Sequence, residues 1–243
     1  MHVRKWTHLA RRVIPCQSCG AVIVAAGSAR RMAGVDKIRA DRGGEPLLVR
    51  TVRAFQETAV VKQIVIVTRP NLIGPVSAVC EAAGFSKVKA VITGGDTRQA
   101  SVQLGLAALS GVRLAAVQDG ARPLVTPELI DRVVELAARC GAAAPAVPVK
   151  DTIKVVDDRD TVASTPERAR LRAVQTPQVF QADLLKAALQ SALDAGAAVT
   201  DDCSAVERLG MKVRLVEGEE ENFKVTTRQD LLLARAIVQG DLT

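Results

Sequence analysis

Residues 22 to 37, VIVAAGSARRMAGVDK, run an apolar strand pattern into Gly27 and then place Arg30, Arg31 and Lys37 on one loop, with no acid before Asp36. The loop lacks both the G-K-[ST] ending of a P-loop and the three-glycine spacing of a dinucleotide fingerprint. What remains is a small-residue strand end at Ala25 and Ala26, a glycine that lets backbone approach a ligand, and three cations. That combination suits a triphosphate, whose oxygens need several donors and positive charges at once. In TGGDTRQASV, 93–102, two glycines leave a strand, Asp96 is placed to cap the next helix and Gln99 stands at its capping-box position. Bare amides beside Gly94 and Gly95 suit the edge of a flat base, with Ser101 as a polar anchor.

In LAAVQDGARPLVTPELI, 114–130, Asp119 follows a strand immediately and Arg122 lies three residues on. A carboxylate there commonly binds a divalent cation in phosphate chemistry, and Mg2+ usually takes only one or two protein carboxylates. The same two residues read equally well as an ion pair at a helix entry. Lys224 and Thr226 follow the acidic run of VEGEEENFKVTT, which has to point away from any bound phosphate.

Composition narrows the chemistry further. Both histidines, His2 and His8, lie in the first ten residues, so the rest of the chain works without imidazole. Ser-His-Asp and Cys-His nucleophilic sites are thereby excluded from it. Of the 33 Lys and Arg, six fall in residues 1–35, which hold no acid; the other 27 face 26 Asp and Glu. The net charge of +7 therefore belongs to the N-terminal stretch, and four Phe, one Trp and no Tyr give single-stranded nucleic acid little to stack on. No nucleic-acid partner is expected, and with no apolar run long enough to span a bilayer, no membrane either.

Five cysteines, an odd count, with no secretory signal predict a reducing cytoplasm. Cys16 and Cys19 have the C-x-x-C spacing of a redox or zinc motif but precede the first strand, where a redox pair would follow one. Two thiols on a loose extension is the favoured reading, with residues 1–19 as a basic, poorly ordered leader.

The elements that must position these residues are legible from periodicity. Short β-branched runs at 21–26, 64–68, 88–92, 114–118 and 143–149 alternate with helical patterns at 46–59, 72–84, 98–110 and 127–141. Fully apolar strands between helices predict a parallel sheet covered on both faces, with ligands beyond the carboxyl ends of its strands. After Lys150 a polar, proline-punctuated stretch reads as a hairpin-like arm over about 150–175. Helical patterns return from 181, and the whole of 20–240 reads as one domain.

Taken in order, AAGSARRM with DK, GGDTRQASV, VQDGARP, VPVKDTIK, QTPQVF, VTDDCSAVE and VEGEEENFKVT closely resemble the 2-C-methyl-D-erythritol 4-phosphate cytidylyltransferase family. The resemblance covers about 20–240. It implies a Rossmann-like, GT-A-like nucleotidyltransferase fold, an α/β three-layer sandwich with a protruding β-arm, and a homodimer formed by arm exchange. It implies CTP and a sugar-alcohol phosphate as substrates, Mg2+ as cofactor and a place in non-mevalonate isoprenoid synthesis. Carried over by motif, Arg31, Lys37, Arg168 and Lys224 would be catalytic. Ala25, Ala26, Gly27, Arg31, Lys37, Gly94, Gly95, Asp96 and Ser101 would hold CTP. Asp119, Arg122, Thr152, Arg168, Thr200, Lys224 and Thr226 would bind the acceptor, with Asp119 also on the metal and Thr152 and Arg168 acting across the dimer.

The chain departs from the family's common pattern in carrying Asp36 and Ile38 around Lys37, Ala29 where a second glycine is frequent, Gln118 where His is common and Gly120 for alanine. A ribitol 5-phosphate cytidylyltransferase is the alternative within the fold, and a non-catalytic nucleotide-binding module the alternative outside it.

Overall fold

The computed structural model describes residues 18–27 and 46–240. Strands β1 (Cys19–Val24), β2 (Val61–Thr68), β3 (Val88–Thr93) and β4 (Leu114–Asp119) alternate with helices α1 (Leu47–Glu57), α2 (Ile73–Ala82) and α3 (Arg98–Ala108). Then come α4 (Pro127–Cys140), β5 (Ala142–Pro148), a small hairpin of β6 (Val155–Val156) and β7 (Val162–Ser164), β8 (Arg172–Val174) and β9 (Gln178–Gln181). Helices α5 (Ala182–Asp194) and α6 (Asp202–Arg208), strand β10 (Arg214–Glu217) and helix α7 (Arg228–Gln239) complete it.

The main sheet runs β10-β5-β9-β4-β1-β2-β3, with β8 paired to β5. Pairings of β1 with β2 and β4 and of β2 with β3 are parallel, as the apolar runs predict, and β5 pairs parallel with β10. The structure differs in one respect: β9 enters between β4 and β5 antiparallel to both, and β8 is antiparallel to β5. The QTPQVF stretch carries no periodicity that reports strand direction.

Alternation along each strand sends its side chains to two cores. Ala21, Ile23, Ile64, Ile66 and Ala116 pack under α1, α2 and α4, whereas Val22, Val65, Val67, Ala115 and Val117 pack under α3, α5 and α6. Helix, sheet and helix therefore form three layers. Helix α4 shows how sequence sets its ends. Thr126 caps it by accepting the Leu129 N–H, Pro127 occupies the first turn where no amide partner is lost, and Gly141 closes it at φ 88, a left-handed conformation that favours glycine.

Cys19 corrects the sequence reading of a loose thiol. It opens β1, is fully buried, donates its thiol to Gly20 O at 3.6 Å, and burial pushes its pKa up to about 12. Cys16 lies outside the described residues. No helix among the described residues is long and apolar enough to cross a membrane.

Candidate active site

The strand ends converge as the parallel sheet requires. Val24 at the end of β1 is the register partner of Asp119 at the end of β4, and the next turns are stitched by Ala25 N–H to Val67 O at 2.7 Å, Gly120 N–H to Val24 O at 2.9 Å and Gly94 N–H to Thr68 O at 2.8 Å. Ala25, Ala26 and Gly27 thus lie between the Gly94–Gly95 loop and the Asp119 turn. A Cβ on Gly94 would fall 2.7 Å from Ala26 Cβ and 2.8 Å from Ser101 Oγ, and one on Gly95 would fall 2.5 Å from Ala100 Cβ. Only glycine lets these two turns approach so closely.

Two expectations for this loop change. The cap of α3 is Thr97, whose side chain accepts the Ala100 N–H at 3.0 Å, while Asp96 is exposed; Gln99 donates to Leu189 O at 2.9 Å and forms no capping box. The register slips by one because Thr and Asp are both good caps and spacing alone does not choose between them. Ser101 is buried and shapes the turn, accepting the Gly95 N–H at 3.1 Å and donating to Thr97 O at 2.9 Å.

Asp119 is the centre of a charge cluster. It is 8% exposed, with Lys224 Nζ 2.9 Å from Oδ2, Arg122 Nε 3.6 Å from Oδ2 and Arg98 Nε 3.6 Å from Oδ1. Burial alone would raise the Asp119 pKa, but Lys224, Arg98 and Arg122 outweigh it and hold the carboxyl below its ordinary value. It is therefore ionised at neutral pH. The expected ion pair of Asp119 with Arg122 exists and coexists with a polyvalent arrangement that a pair alone does not need.

Asn222 fastens this cluster to the β8–β9 bend. It is fully buried, donates Nδ2 to Thr176 O at 3.0 Å and Gln175 Oε1 at 3.2 Å, and its backbone carbonyl accepts from Arg122 Nη1 at 2.6 Å. Thr176 Oγ1 in turn accepts the Asp119 N–H at 3.1 Å. The acidic run does face elsewhere. Glu219 accepts from Thr126 Oγ1 at 2.9 Å and from Arg132 at 3.0 Å, and Glu220 pairs with Lys150.

Lys224, Arg122 and Asp119 are thus brought together. Thr226 is nearby in sequence, but its hydroxyl donates to Asp230 Oδ2 at 2.8 Å at the start of α7. Thr152 and Arg168 are exposed on the arm, where Arg168 Nη1 donates to Lys150 O at 2.9 Å. Thr200 is exposed and its N–H donates to Ser204 Oγ at 3.2 Å. Among the described residues, none of these four shares a hydrogen bond or ion pair with Asp119. Arg31 and Lys37 lie outside the described residues.

A family model for 2-C-methyl-D-erythritol 4-phosphate cytidylyltransferase matches residues 19–240. The chain belongs to that family. It is 44% identical over 223 residues to a 2-C-methyl-D-erythritol 4-phosphate cytidylyltransferase of Dehalococcoides mccartyi, covering 92% of this chain and 97% of that protein. The namesake from Symbiobacterium thermophilum is 45% identical over 223 residues, covering 90% and 92%. Among solved structures, a 4-diphosphocytidyl-2C-methyl-D-erythritol synthase from Anaerococcus prevotii superposes with a TM-score of 0.83 at 30% identity, covering 92% of this chain and 96% of that one. A Thermus thermophilus cytidylyltransferase of this family gives 0.73 at 37% identity over 90% and 98%. The fold is the Rossmann-like nucleotidyltransferase sandwich.

Among the described residues no three His, Cys, Asp or Glu side chains gather as a metal cluster. The residues nevertheless fit Mg2+, which usually takes only one or two protein carboxylates, because Asp119 is ionised and, among the described residues, its Oδ1 has no partner closer than Arg98 at 3.6 Å.

Sequence reasoning passed over Arg98 and Asp202, although both stand in quoted motifs. Arg98 Nη2 lies 2.7 Å from Asp202 Oδ2, and Asp202 is 1% exposed. A cation in the first turn of α3 runs against the helix dipole, which was the available signal that acids hold it.

Proposed function

We propose that this chain transfers CMP from CTP to 2-C-methyl-D-erythritol 4-phosphate, giving 4-diphosphocytidyl-2-C-methyl-D-erythritol and pyrophosphate in non-mevalonate isoprenoid synthesis. Family membership over nearly the whole chain supports it, and the observation that carries it is the grouping of Lys224, Arg122 and Asp119 beyond the end of β4. Two cations beside one carboxylate can accept a phosphate monoester without a change of fold.

The chemistry needs no general base. A phosphate monoester has a second pKa of about 6 and is largely ionised at neutral pH. Its oxygen attacks the α-phosphorus of CTP, the new O–P bond forms as the bond to the β-phosphate oxygen breaks, and pyrophosphate leaves with that electron pair. Catalysis is then positioning and charge neutralisation. Lys224 and Arg122 hold the acceptor phosphate, while Arg31 and Lys37 neutralise charge on the triphosphate. Ala25 to Gly27, the amides of Gly94 and Gly95, and Asp96 bind the nucleotide, and Ser101 keeps the turn in shape. Asp119 would hold Mg2+, which supplies further neutralisation of phosphate charge when bound.

Residues 20–240 act as one catalytic domain, and two copies pair by exchange of the arm at about 150–175. Exposed Ile153, Val155, Val156 and Val162 on that arm support the exchange. Thr152 and Arg168 then reach the partner's acceptor, with Thr200 and Thr226 at its rim. Buried, unpaired Cys19, Cys80 and Cys203 support a reducing, cytoplasmic setting.

The test is pyrophosphate release with Mg2+ and CTP, offering 2-C-methyl-D-erythritol 4-phosphate and ribitol 5-phosphate in parallel. Release with the first acceptor alone is expected. Preferred turnover of ribitol 5-phosphate overturns the acceptor, and silence with both overturns the activity.

A further inference from the structure

The network that passes behind the acceptor cluster divides one guanidinium between two carboxylates unequally. Arg98 Nη2 stands 2.7 Å from Asp202 Oδ2, whereas Arg98 Nε stands 3.6 Å from Asp119 Oδ1. The nearer contact is a hydrogen bond and the farther one is not. Asp202 is also held in place from behind. Its own N–H and that of Cys203 donate to Gln178 Oε1, each at 3.0 Å, and Gln178 Nε2 donates to Asp201 Oδ2 at 2.7 Å. Asp201 and Ser204 form a capping box at the start of α6. A buried glutamine on β9 therefore aims Asp202 at Arg98.

We propose that Asp202 is a positioning residue for the transfer reaction: it holds Arg98 back from Asp119 and so keeps Asp119 Oδ1 open toward the acceptor and its divalent cation. The charges decide the direction. Asp119 already receives Lys224 and Arg122 on Oδ2, so a third cation closing onto Oδ1 would saturate the carboxylate. Arg98 is rooted at the first turn of α3, within reach of both acids, and it follows the stronger attraction. With Asp202 charged and nearer, that attraction is to Asp202. Neutralise Asp202, and among the described residues Asp119 is the remaining carboxylate in contact with Arg98. The inference rests on the reading that Asp119 serves the acceptor side.

This assignment predicts an asymmetry that a merely structural ion pair does not. Asp202→Asn should raise KM for 2-C-methyl-D-erythritol 4-phosphate, and the Mg2+ concentration for half-maximal rate, by about tenfold while KM for CTP holds. Arg98→Met, which removes the cation beside Asp119 Oδ1 and leaves Lys224 and Arg122 on Oδ2, should keep the acceptor KM within about twofold of the parent. The double variant Arg98→Met/Asp202→Asn should recover the acceptor KM that Asp202→Asn loses, a non-additivity read directly from the cycle. Gln178→Leu retains the charge but loosens its aim, so it should move the acceptor KM in the same direction by less; it carries the test if Asp202→Asn fails to fold.

Equal damage from Asp202→Asn and Arg98→Met, equal rises in both KM values, or no recovery in the double variant overturns the assignment. An unchanged acceptor KM in folded Gln178→Leu does so as well when Asp202→Asn does not fold. An unchanged acceptor KM in Asp119→Asn, by contrast, sinks the reading of Asp119 itself, whatever Asp202 does.

Discussion

Lys224 Nζ sits 2.9 Å from Asp119 Oδ2, which joins the loop after β10 to the carboxyl end of β4 across more than a hundred residues of chain. Lys224 is 43% exposed on its side chain and Asp119 11%, so the carboxylate is fixed and the ammonium is the partner free to turn toward a ligand. A lysine stem with several rotatable bonds suits that exchange of one anion for another.

The two acids of the cluster should give opposite pH slopes. Asp119 has its folded pKa below the ordinary 3.8, so the stability it contributes is fully present above that value and is lost as pH falls through the lowered one. Asp202 is raised above 3.8 by burial, against the pull of Arg98; its charge costs stability above the raised value, and the cost disappears as pH falls through it. Urea denaturation across acid and neutral pH should show the parent gaining on Asp119→Asn as pH rises and losing ground to Asp202→Asn. Slopes of the same sign for both variants would contradict the assignment.

Asn222→Ala should couple stability to acceptor binding. The change strips two donated hydrogen bonds from a fully buried position, a loss of about 2 kcal/mol, and frees the carbonyl that orients Arg122. Urea denaturation should report the stability loss, and the acceptor KM should rise by about tenfold with little change for CTP. An unchanged acceptor KM would show that Arg122 keeps its place without this anchor.

Gly94→Ala addresses the other half of the site. The added methyl meets Ala26 Cβ at 2.7 Å and Ser101 Oγ at 2.8 Å, so one of the two turns must move. The expected result is a CTP KM raised by about tenfold with the acceptor KM held, measured by titrating each substrate at saturation of the other. A rise confined to the acceptor would reverse the division of the site.

The proposed arm exchange predicts how mixtures of two variants behave. Homodimers of Arg168→Ala and of Lys224→Ala should each be nearly inactive. Reassembled together, half the dimers pair one chain of each kind, and one of their two sites then combines an intact arm with an intact Lys224; about a quarter of parental turnover should return. No recovery after confirmed subunit exchange would place Arg168 at the site of its own chain.

Much of this was legible in sequence because the signals are local. Apolar runs fix β1 to β5, Thr126, Pro127 and Gly141 fix the ends of α4, and Asp119 at the last position of its strand marks the mouth of the site. Position in a third dimension is what spacing withholds. Gln178 and Asp202 are separated by 24 residues yet share a hydrogen bond, and Arg98 reaches Asp202 across 104. The antiparallel insertion of β9 is equally non-local, since a strand buried between two others has the same composition in either direction.

That insertion governs the order in which a growing chain can close its sheet. β1 to β4 can pair as soon as Asp119 is made, but the outer edge of β4 finds its partner only in residues 178–181, and β5 meets β9 there as well. Throughout the synthesis of α4, β5 and the whole arm, β4 carries an unpaired edge of amides and carbonyls, with the aggregation hazard such an edge brings. A ribosome pausing before Gln178 would hold an open half-sheet; one that has passed Gln181 has supplied the strand that seals it.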